Sequence, residues 1–160
     1  IYSEHQKVPR QWKKFLSSGE NKEQLMEFLF HGWMKADPLM LNGIEVFLAH
    51  RNICHRFFPS NNTLGCTEID ELCCDHEEAD TRMFVHANHA SQFYRNIIIK
   101  SSDTDVFAIA LNVCSESQAD MFFETGIGTA RRMISLATIR DSIGYQWCRS
   151  LIGLHAFTGA

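Results

Sequence analysis

The feature that most constrains the fold is a short segment with an apolar centre, set between two helical patterns. NIIIK at residues 96–100 has the length and β-branched content of a buried strand, and DVFAIALNVC at residues 105–114 after it is predicted to be a helix. Residues 76–93 before it carry another helical pattern. Continuously apolar strands that alternate with helices are typical of a parallel sheet covered on both faces. We therefore expect an α/β fold: a three-layer domain with a mostly parallel central sheet.

The length of 160 residues suits one domain with a substantial core and is short for two. We expect a single domain over residues 1–160, with a helical N-terminal part at about 1–42 and a sheet-bearing core at 43–160. The chain begins without methionine and stops directly after an apolar helical pattern, so we expect it to be a truncated fragment of a longer protein.

Further elements follow from local patterns. An amphipathic helix is predicted over residues 21–37, and strands over 43–50, 67–74 and 94–102. The stretch RNICHRFFPSNNTLG (51–65) is expected to be a loop because it is rich in Asn, Ser and Pro. Residues 119–135 predict a hairpin that turns at Gly126 and Gly128, and two helices are expected to follow it.

Charge and cysteine content narrow the classes of function. The net charge of −4 gives no general attraction to polyanions, so a nucleic acid would need a local basic face or bridging metal ions. The six cysteines lack the paired CxxC spacing of a zinc site and predict reduced thiols in an intracellular protein. Nothing in the sequence decides for or against the nucleus. A signal peptide and a run of ~20 apolar residues are both missing, which argues against secretion and membrane spanning.

Two acidic groups stand where predicted strands end. Glu78 and Asp80, with Glu77, follow the predicted strand 67–74, and Asp103 and Asp105 follow NIIIK. If these strands are parallel neighbours, the carboxylates converge at one sheet edge, where divalent cations would relieve their repulsion. Oxygen ligands favour Mg²⁺ or Mn²⁺, and two such ions ~4 Å apart hydrolyse phosphodiesters. The alternative for DTD (residues 103–105) is a polar turn that caps a helix. The alternative for EEAD (residues 77–80) is a solvent-exposed helix start.

Three segments in order carry a resemblance to a known family: HEEADTR, IIIKSSDTDV and LIGLHAFTG. They resemble the EAE-type helix start, the DSD-type strand end and the LxG-C-D segment of the PIN-like superfamily in its flap-endonuclease branch. The match is closer still to uncharacterised animal proteins that carry HEEADTR, SPDTDV and LxGLHAxTGCD, some of them connected with mobile elements. The resemblance to the PIN-like landmarks covers roughly residues 67–160, and the N-terminal third of the chain resembles only the uncharacterised group.

The resemblance implies a PIN-like fold and a nuclease that acts on DNA or RNA. Glu78 and Asp80 match the EAE acids, and Asp103 and Asp105 match the DSD acids. These four would be the catalytic and metal-binding residues of a two-metal Mg²⁺ or Mn²⁺ site. Ala160 stands where the family has cysteine, and the family's next aspartate lies beyond the chain, so an incomplete site is expected. A catalytically inactive scaffold or nucleic-acid-binding module is the alternative, and the oligomeric state stays open.

Other motifs give weaker evidence of a functional site. Arg131 and Arg132 are either contacts for a nucleic-acid backbone or an ordinary solvated pair. TGIGTARR lacks the Lys-Ser/Thr of a phosphate-binding P-loop and is expected to be a turn. A phosphatase that uses DTD as its nucleophile would need that motif on its first strand, so we do not favour it. His86 and His89 share a helical face but have no evident third ligand.

Overall fold

The computed structural model describes residue 7 and residues 9–74, 79–113 and 117–158. The chain divides into two compact units, an N-terminal unit (Ile1–Asp75) and a C-terminal unit (His76–Ala160). In the described parts of the chain, no helix is both long enough and apolar enough to cross a membrane.

The N-terminal unit begins with two helices, α1 (Trp12–Leu16) and α2 (Gly19–Met34). The hydroxyl of Ser18 accepts the backbone N–H of Asn21 at 3.4 Å and caps α2. The predicted helix is confirmed, and it runs from Gly19 to Met34 rather than over residues 21–37. After α2 the chain passes through a 3₁₀ turn, Pro38–Leu41, whose first turn is capped by the carboxylate of Asp37.

Three antiparallel strands follow as a meander: β1 (Val46–His50), β2 (Ile53–Ser60) and β3 (Thr63–Glu68). Two-residue turns join them. Asn61 and Asn62 both have positive φ, at 45° and 64°, which is the pattern of a type I′ hairpin turn. The expected loop 51–65 is therefore wrong, because asparagine tolerates the left-handed conformation and lets the chain reverse within two residues. The predicted strand 67–74 is also wrong, since β3 ends at Glu68 and a 3₁₀ turn (Asp70–Leu72) follows.

The core of the N-terminal unit forms between α2 and the sheet. Phe57 of β2 is fully buried, and its ring centroid lies 5.9 Å from that of Phe30 and 6.1 Å from that of Trp33. Arg51, in the turn between β1 and β2, has φ +52°, and its guanidinium contacts Glu23 at 3.7 Å and Glu27 at 3.2 Å, both on α2. One face of α2 is thus held both by aromatic packing and by ion pairs.

The C-terminal unit alternates helices and strands. Its elements are α3 (Ala79–Ser91), β4 (Asn96–Lys100), α4 (Thr104–Val113), β5 (Asp120–Thr125), β6 (Arg132–Ser135), α5 (Leu136–Ile143) and α6 (Tyr145–Thr158). The sheet has the order β4-β5-β6, with β4 and β5 parallel and β5 and β6 antiparallel. The predicted strand at NIIIK, the helix after it and the hairpin at the glycines are confirmed.

The core of this unit lies on one face of its sheet. Ile97 and Ile99 of β4 and Met121 and Phe123 of β5 are buried, together with residues of the helices such as Leu111. Ile98, between the two buried isoleucines, is 52% exposed. The burial of β4 therefore alternates along the strand, which is the pattern of a sheet with one covered face.

The predicted three-layer α/β domain with a mostly parallel, PIN-like central sheet is wrong. The described residues form two separate three-stranded sheets, one wholly antiparallel and one mixed. The prediction needed residues 43–50, 67–74 and 94–102 to be strands of one parallel sheet. Tight turns pair β1, β2 and β3 with one another instead, so β5 is the only parallel neighbour of β4 among the described residues.

Candidate functional site

The DTD motif lies where β4 gives way to α4, at the edge of the sheet where the parallel strands β4 and β5 both end. We call this edge the carboxyl edge. The backbone N–H of Asp103 donates to the Ser101 hydroxyl at 3.1 Å, and Oδ1 of Asp103 accepts the backbone N–H of Asp105 at 2.9 Å. The carbonyl of Asp103 accepts the first backbone bond of α4, from Phe107 at 3.3 Å. Asp103 is therefore the N-cap of α4.

Capping of α4 leaves most lone pairs of the Asp103 carboxylate available to a metal ion. An ionised carboxylate offers about four lone-pair sites, and the N–H of Asp105 takes one of them. Asp103 is exposed, and Asp105 is half-buried in the first turn of α4, where the helix dipole favours negative charge. The polar-turn and the ligand interpretations of DTD are therefore compatible with each other.

Glu124, which the sequence analysis did not select, is a buried acid at the same edge. Lys100 and Glu124 are opposite each other in the parallel register of β4 and β5. Glu124 is only 4% exposed. Its Oε2 lies 2.6 Å from Nη2 of Arg131, and its Oε1 lies 3.0 Å from Nζ of Lys100, an ion-pair contact rather than an aligned hydrogen bond. The backbone N–H of Ser101 also donates to the Glu124 carbonyl at 3.1 Å, which ties the two strand ends together.

The two cations determine the ionisation of Glu124. The hydrogen bond from Arg131 and, next in size, the contact with Lys100 hold the pKa of the Glu124 carboxyl below its ordinary value of 4.5, against the opposing effect of burial. Lys100 and Arg131 themselves stay 74% and 61% exposed. The carboxyl edge thus carries one buried, ionised acid covered by two solvent-facing cations.

A tight turn returns Arg131 to Glu124. Gly126 has φ +84°, and a Cβ at this position would stand 2.2 Å from the carbonyl oxygen of Ala130. Ala130 and Arg131 donate backbone bonds to Ile127 and Gly128, at 3.1 and 3.2 Å. Only glycine fits at position 126 without moving the turn.

The EEAD acids are placed only in part. Asp80 is half-buried in the first turn of α3, a helix that packs on β4 and α4. Glu77 and Glu78 lie outside the described residues, as do Gly159 and Ala160 of the last motif. The strand that was expected to bring this group to the carboxyl edge does not exist.

The carboxylates of DTD match the ligand preference of Mg²⁺ and Mn²⁺ only in part. Asp103 and Asp105 supply the carboxylate oxygens that these ions prefer. Within residues 9–74, 79–113 and 117–158, no three His, Cys, Asp or Glu side chains lie close enough together to hold a metal ion. The two aspartates therefore fit as part of a site, and further ligands such as Glu78 would have to complete it.

His86, on α3, has a pKa that its surroundings shift. Burial, and after it the electrostatic effect of the neighbouring Arg82 and His89 side chains, lowers the pKa of His86. A lowered pKa keeps the His86 imidazole neutral at pH 7, and among the described residues His86 belongs to no group of three side chains that could hold a metal ion.

Comparison with protein-family models, with curated proteins and with solved structures finds no match. The function of the chain is therefore inferred from its own residues, and chiefly from the carboxyl edge of the C-terminal unit.

Proposed function

We propose that the C-terminal unit binds a phosphodiester of DNA or RNA at its carboxyl edge and hydrolyses it with Mg²⁺ or Mn²⁺. One observation carries the proposal: acids and exposed cations lie together at the carboxyl edge. Asp103 and Asp105 lie at the start of α4, just after β4. Lys100 at the end of β4 and Arg131 just before β6 contact Glu124 near the end of β5 and stay exposed to solvent. Acids for a metal and cations for a phosphate therefore occur along one edge. Ligands of α/β units commonly bind outside the carboxyl ends of parallel strands.

Each acid has a role in this proposal. Asp103 and Asp105 would hold the metal together with Glu78, and the metal would supply an activated water and neutralise charge on the phosphate. Asp103 also fixes the first turn of α4, so that its carboxylate has a defined position before any ligand arrives. Asp105 lies next to it on the same turn, which sets the spacing of the two ligands.

Titration of Mn²⁺ into the protein tests the metal site. We expect measurable heat from the unaltered protein and none above background from the double variant Asp103→Asn/Asp105→Asn. The matched control is Asp120→Asn/Asp141→Asn, which removes the same charge from two exposed aspartates outside DTD, paired with Arg95 and Arg140. Equal heats from the unaltered protein and the DTD variant would remove the metal site.

Cleavage of a labelled single-stranded oligonucleotide in Mn²⁺, with EDTA as the matched blank, then tests hydrolysis. The full natural protein is used where it extends beyond residues 1–160. EDTA-sensitive cleavage that the DTD variant loses is the expected result.

A second candidate is a catalytically silent nucleic-acid-binding module or scaffold. The N-cap favours it, because capping α4 gives Asp103 a structural reason to be acidic without any metal. This candidate predicts oligonucleotide binding without cleavage in either Mg²⁺ or Mn²⁺. Robust EDTA-sensitive cleavage would exclude it.

An intracellular location is part of the proposal. Cys54, Cys66, Cys73, Cys74 and Cys148 are free thiols in the described chain, which supports a reducing compartment.

A further inference from the structure

We propose that Lys100 and Arg131, held in place by the buried carboxylate of Glu124, form a binding subsite for a backbone phosphate of single-stranded nucleic acid. The inference deepens the proposed function, on which it depends for the identity of the ligand. Lys100 and Arg131, which take no part in the metal site, would contact the phosphate. Glu124 would position these two side chains and would contact neither the metal nor the phosphate.

The burial of Glu124 is the first reason. A carboxylate that is 4% exposed loses most of its hydration, and such a group is kept charged only where cations compensate it. Two cations contact it, at 2.6 Å from Arg131 and at 3.0 Å from Lys100. The triad therefore has a formal charge of +1, given by two positive groups and one negative group.

The remaining donors of the cations are the second reason. A guanidinium has five N–H donors and an ammonium has three, and Glu124 contacts one nitrogen of each side chain. Both side chains are more than half exposed, at 61% for Arg131 and 74% for Lys100. A second anion can therefore approach Lys100 and Arg131 from solvent while Glu124 contacts them from the buried side.

Preorganisation is the third reason. Long cationic side chains lose rotamer entropy when they are fixed, and much of that loss is already incurred when Glu124 holds them. The turn that begins at Gly126 returns Arg131 to Glu124, and the parallel register places Lys100 opposite Glu124. Lys100 is separated from Asp103 by only two residues, so a phosphate on the triad lies next to the DTD turn.

Anisotropy titrations of a fluorescein-labelled thymidine homo-oligomer, and of its uridine counterpart, test the subsite. They are run in EDTA and again in Ca²⁺, between about 50 and 200 mM NaCl. We expect Lys100→Gln and Arg131→Gln each to weaken binding roughly five- to tenfold, since each removes one charge-assisted contact with phosphate. The slope of log K against log salt should fall by about 0.7 for each.

Arg95→Gln is the matched control. Arg95 loses the same charge and the same kind of ion pair, with Asp120 at 3.6 Å, but it precedes β4 at the opposite end of the strand. Its removal should change affinity less than twofold.

Glu124→Gln separates positioning from net charge. The substitution adds one positive charge to the unit, so a purely electrostatic effect would tighten binding. Loss of positioning weakens binding instead, and we expect a threefold or larger loss. If Glu124→Gln does not fold by circular dichroism, the two cation variants, which alter exposed side chains, decide the matter.

The outcomes are distinct from those of the proposed function. Binding in the expected order without cleavage in Mn²⁺ keeps the subsite and rejects the nuclease. If the unaltered protein cleaves the oligonucleotide, but Lys100→Gln and Arg131→Gln bind it no more weakly than Arg95→Gln does, the subsite alone is rejected. Tighter binding by Glu124→Gln, or no binding by the unaltered protein in either EDTA or Ca²⁺, also overturns the subsite.

Discussion

Nη2 of Arg131 lies 2.6 Å from Oε2 of Glu124, and this ion pair joins the residue just before β6 to the end of β5 across the turn between the two strands. A charged hydrogen bond to a nearly buried carboxylate stabilises the C-terminal unit only while the carboxylate is ionised. The stability of this unit is therefore linked to pH.

Acidification should weaken the C-terminal unit through Glu124. Because the folded-state pKa of Glu124 is held below the ordinary value of 4.5, ionisation stabilises the native state above that value, and the contribution is lost as the pH falls through the lowered pKa. Urea unfolding at several pH values measures the effect. The difference in free energy of unfolding between the unaltered protein and Glu124→Gln should be constant near neutrality and should shrink below about pH 4.5. A constant difference down to pH 2 would contradict this assignment.

Two substitutions at Asp103 separate its two roles. Asp103→Ala removes the cap of α4 and should lower the free energy of unfolding by about 1 kcal/mol. Asp103→Asn keeps a capping oxygen and should leave stability nearly unchanged, while it weakens Mn²⁺ binding. Thermal melts without metal and titrations with Mn²⁺ measure both. Equal destabilisation by Asn and Ala would mean that the bond to Asp105 is not what starts the helix.

Gly126 and Gly128 offer a matched pair of turn substitutions. Gly128→Ala meets open space and should cost about 1–2 kcal/mol, which is the penalty of a left-handed conformation at φ +58°. Gly126→Ala has the same kind of penalty at φ +84° and also meets the Ala130 carbonyl, so it should cost more and should displace Arg131. Chemical denaturation gives the costs. Oligonucleotide affinity should fall for Gly126→Ala and hold for Gly128→Ala, and equal affinities would contradict the link between the turn and Arg131.

Leu111 is the best position at which to test the core of the C-terminal unit. Its side chain on α4 is 1% exposed, and Leu111→Ala should cost about 2–5 kcal/mol because it leaves a cavity. Ile98→Thr, on the open face of β4, keeps a β-branched side chain and should cost less than about 1 kcal/mol. Comparable losses from the two variants would indicate that the open face of the sheet is covered.

Local signals in the sequence predicted several elements well. The periodicity of α2, the apolar run of β4 and the glycines between β5 and β6 each depend on residues within one short window. Pairing partners depend on residues far apart, and here the prediction failed. The β2–β3 hairpin has Asn-Asn at its turn in place of the stronger Asn-Gly signal, and the polar residues around it gave the appearance of a loop.

The candidate site was predicted in the same uneven way. DTD was correctly expected at the end of a strand, because the apolar run stops at Lys100. Glu124 was missed because its significance comes from the register of β5 with β4 and from a turn that returns Arg131 to it. The local sign was an acid inside an apolar strand, FFETG, followed by two arginines, and that pattern alone does not distinguish a buried ion pair from a solvated one.

Arg51 couples the β1–β2 turn of the N-terminal unit to α2. Its left-handed backbone costs about 1–2 kcal/mol for a residue with a side chain, and exposed ion pairs such as those with Glu23 and Glu27 each return up to about 1 kcal/mol. The cost of this backbone conformation is thus uncompensated while α2 is absent and is offset once the helix is in contact with the turn. Closure of the β1–β2 turn and docking of α2 should therefore be one cooperative event, in which neither persists without the other.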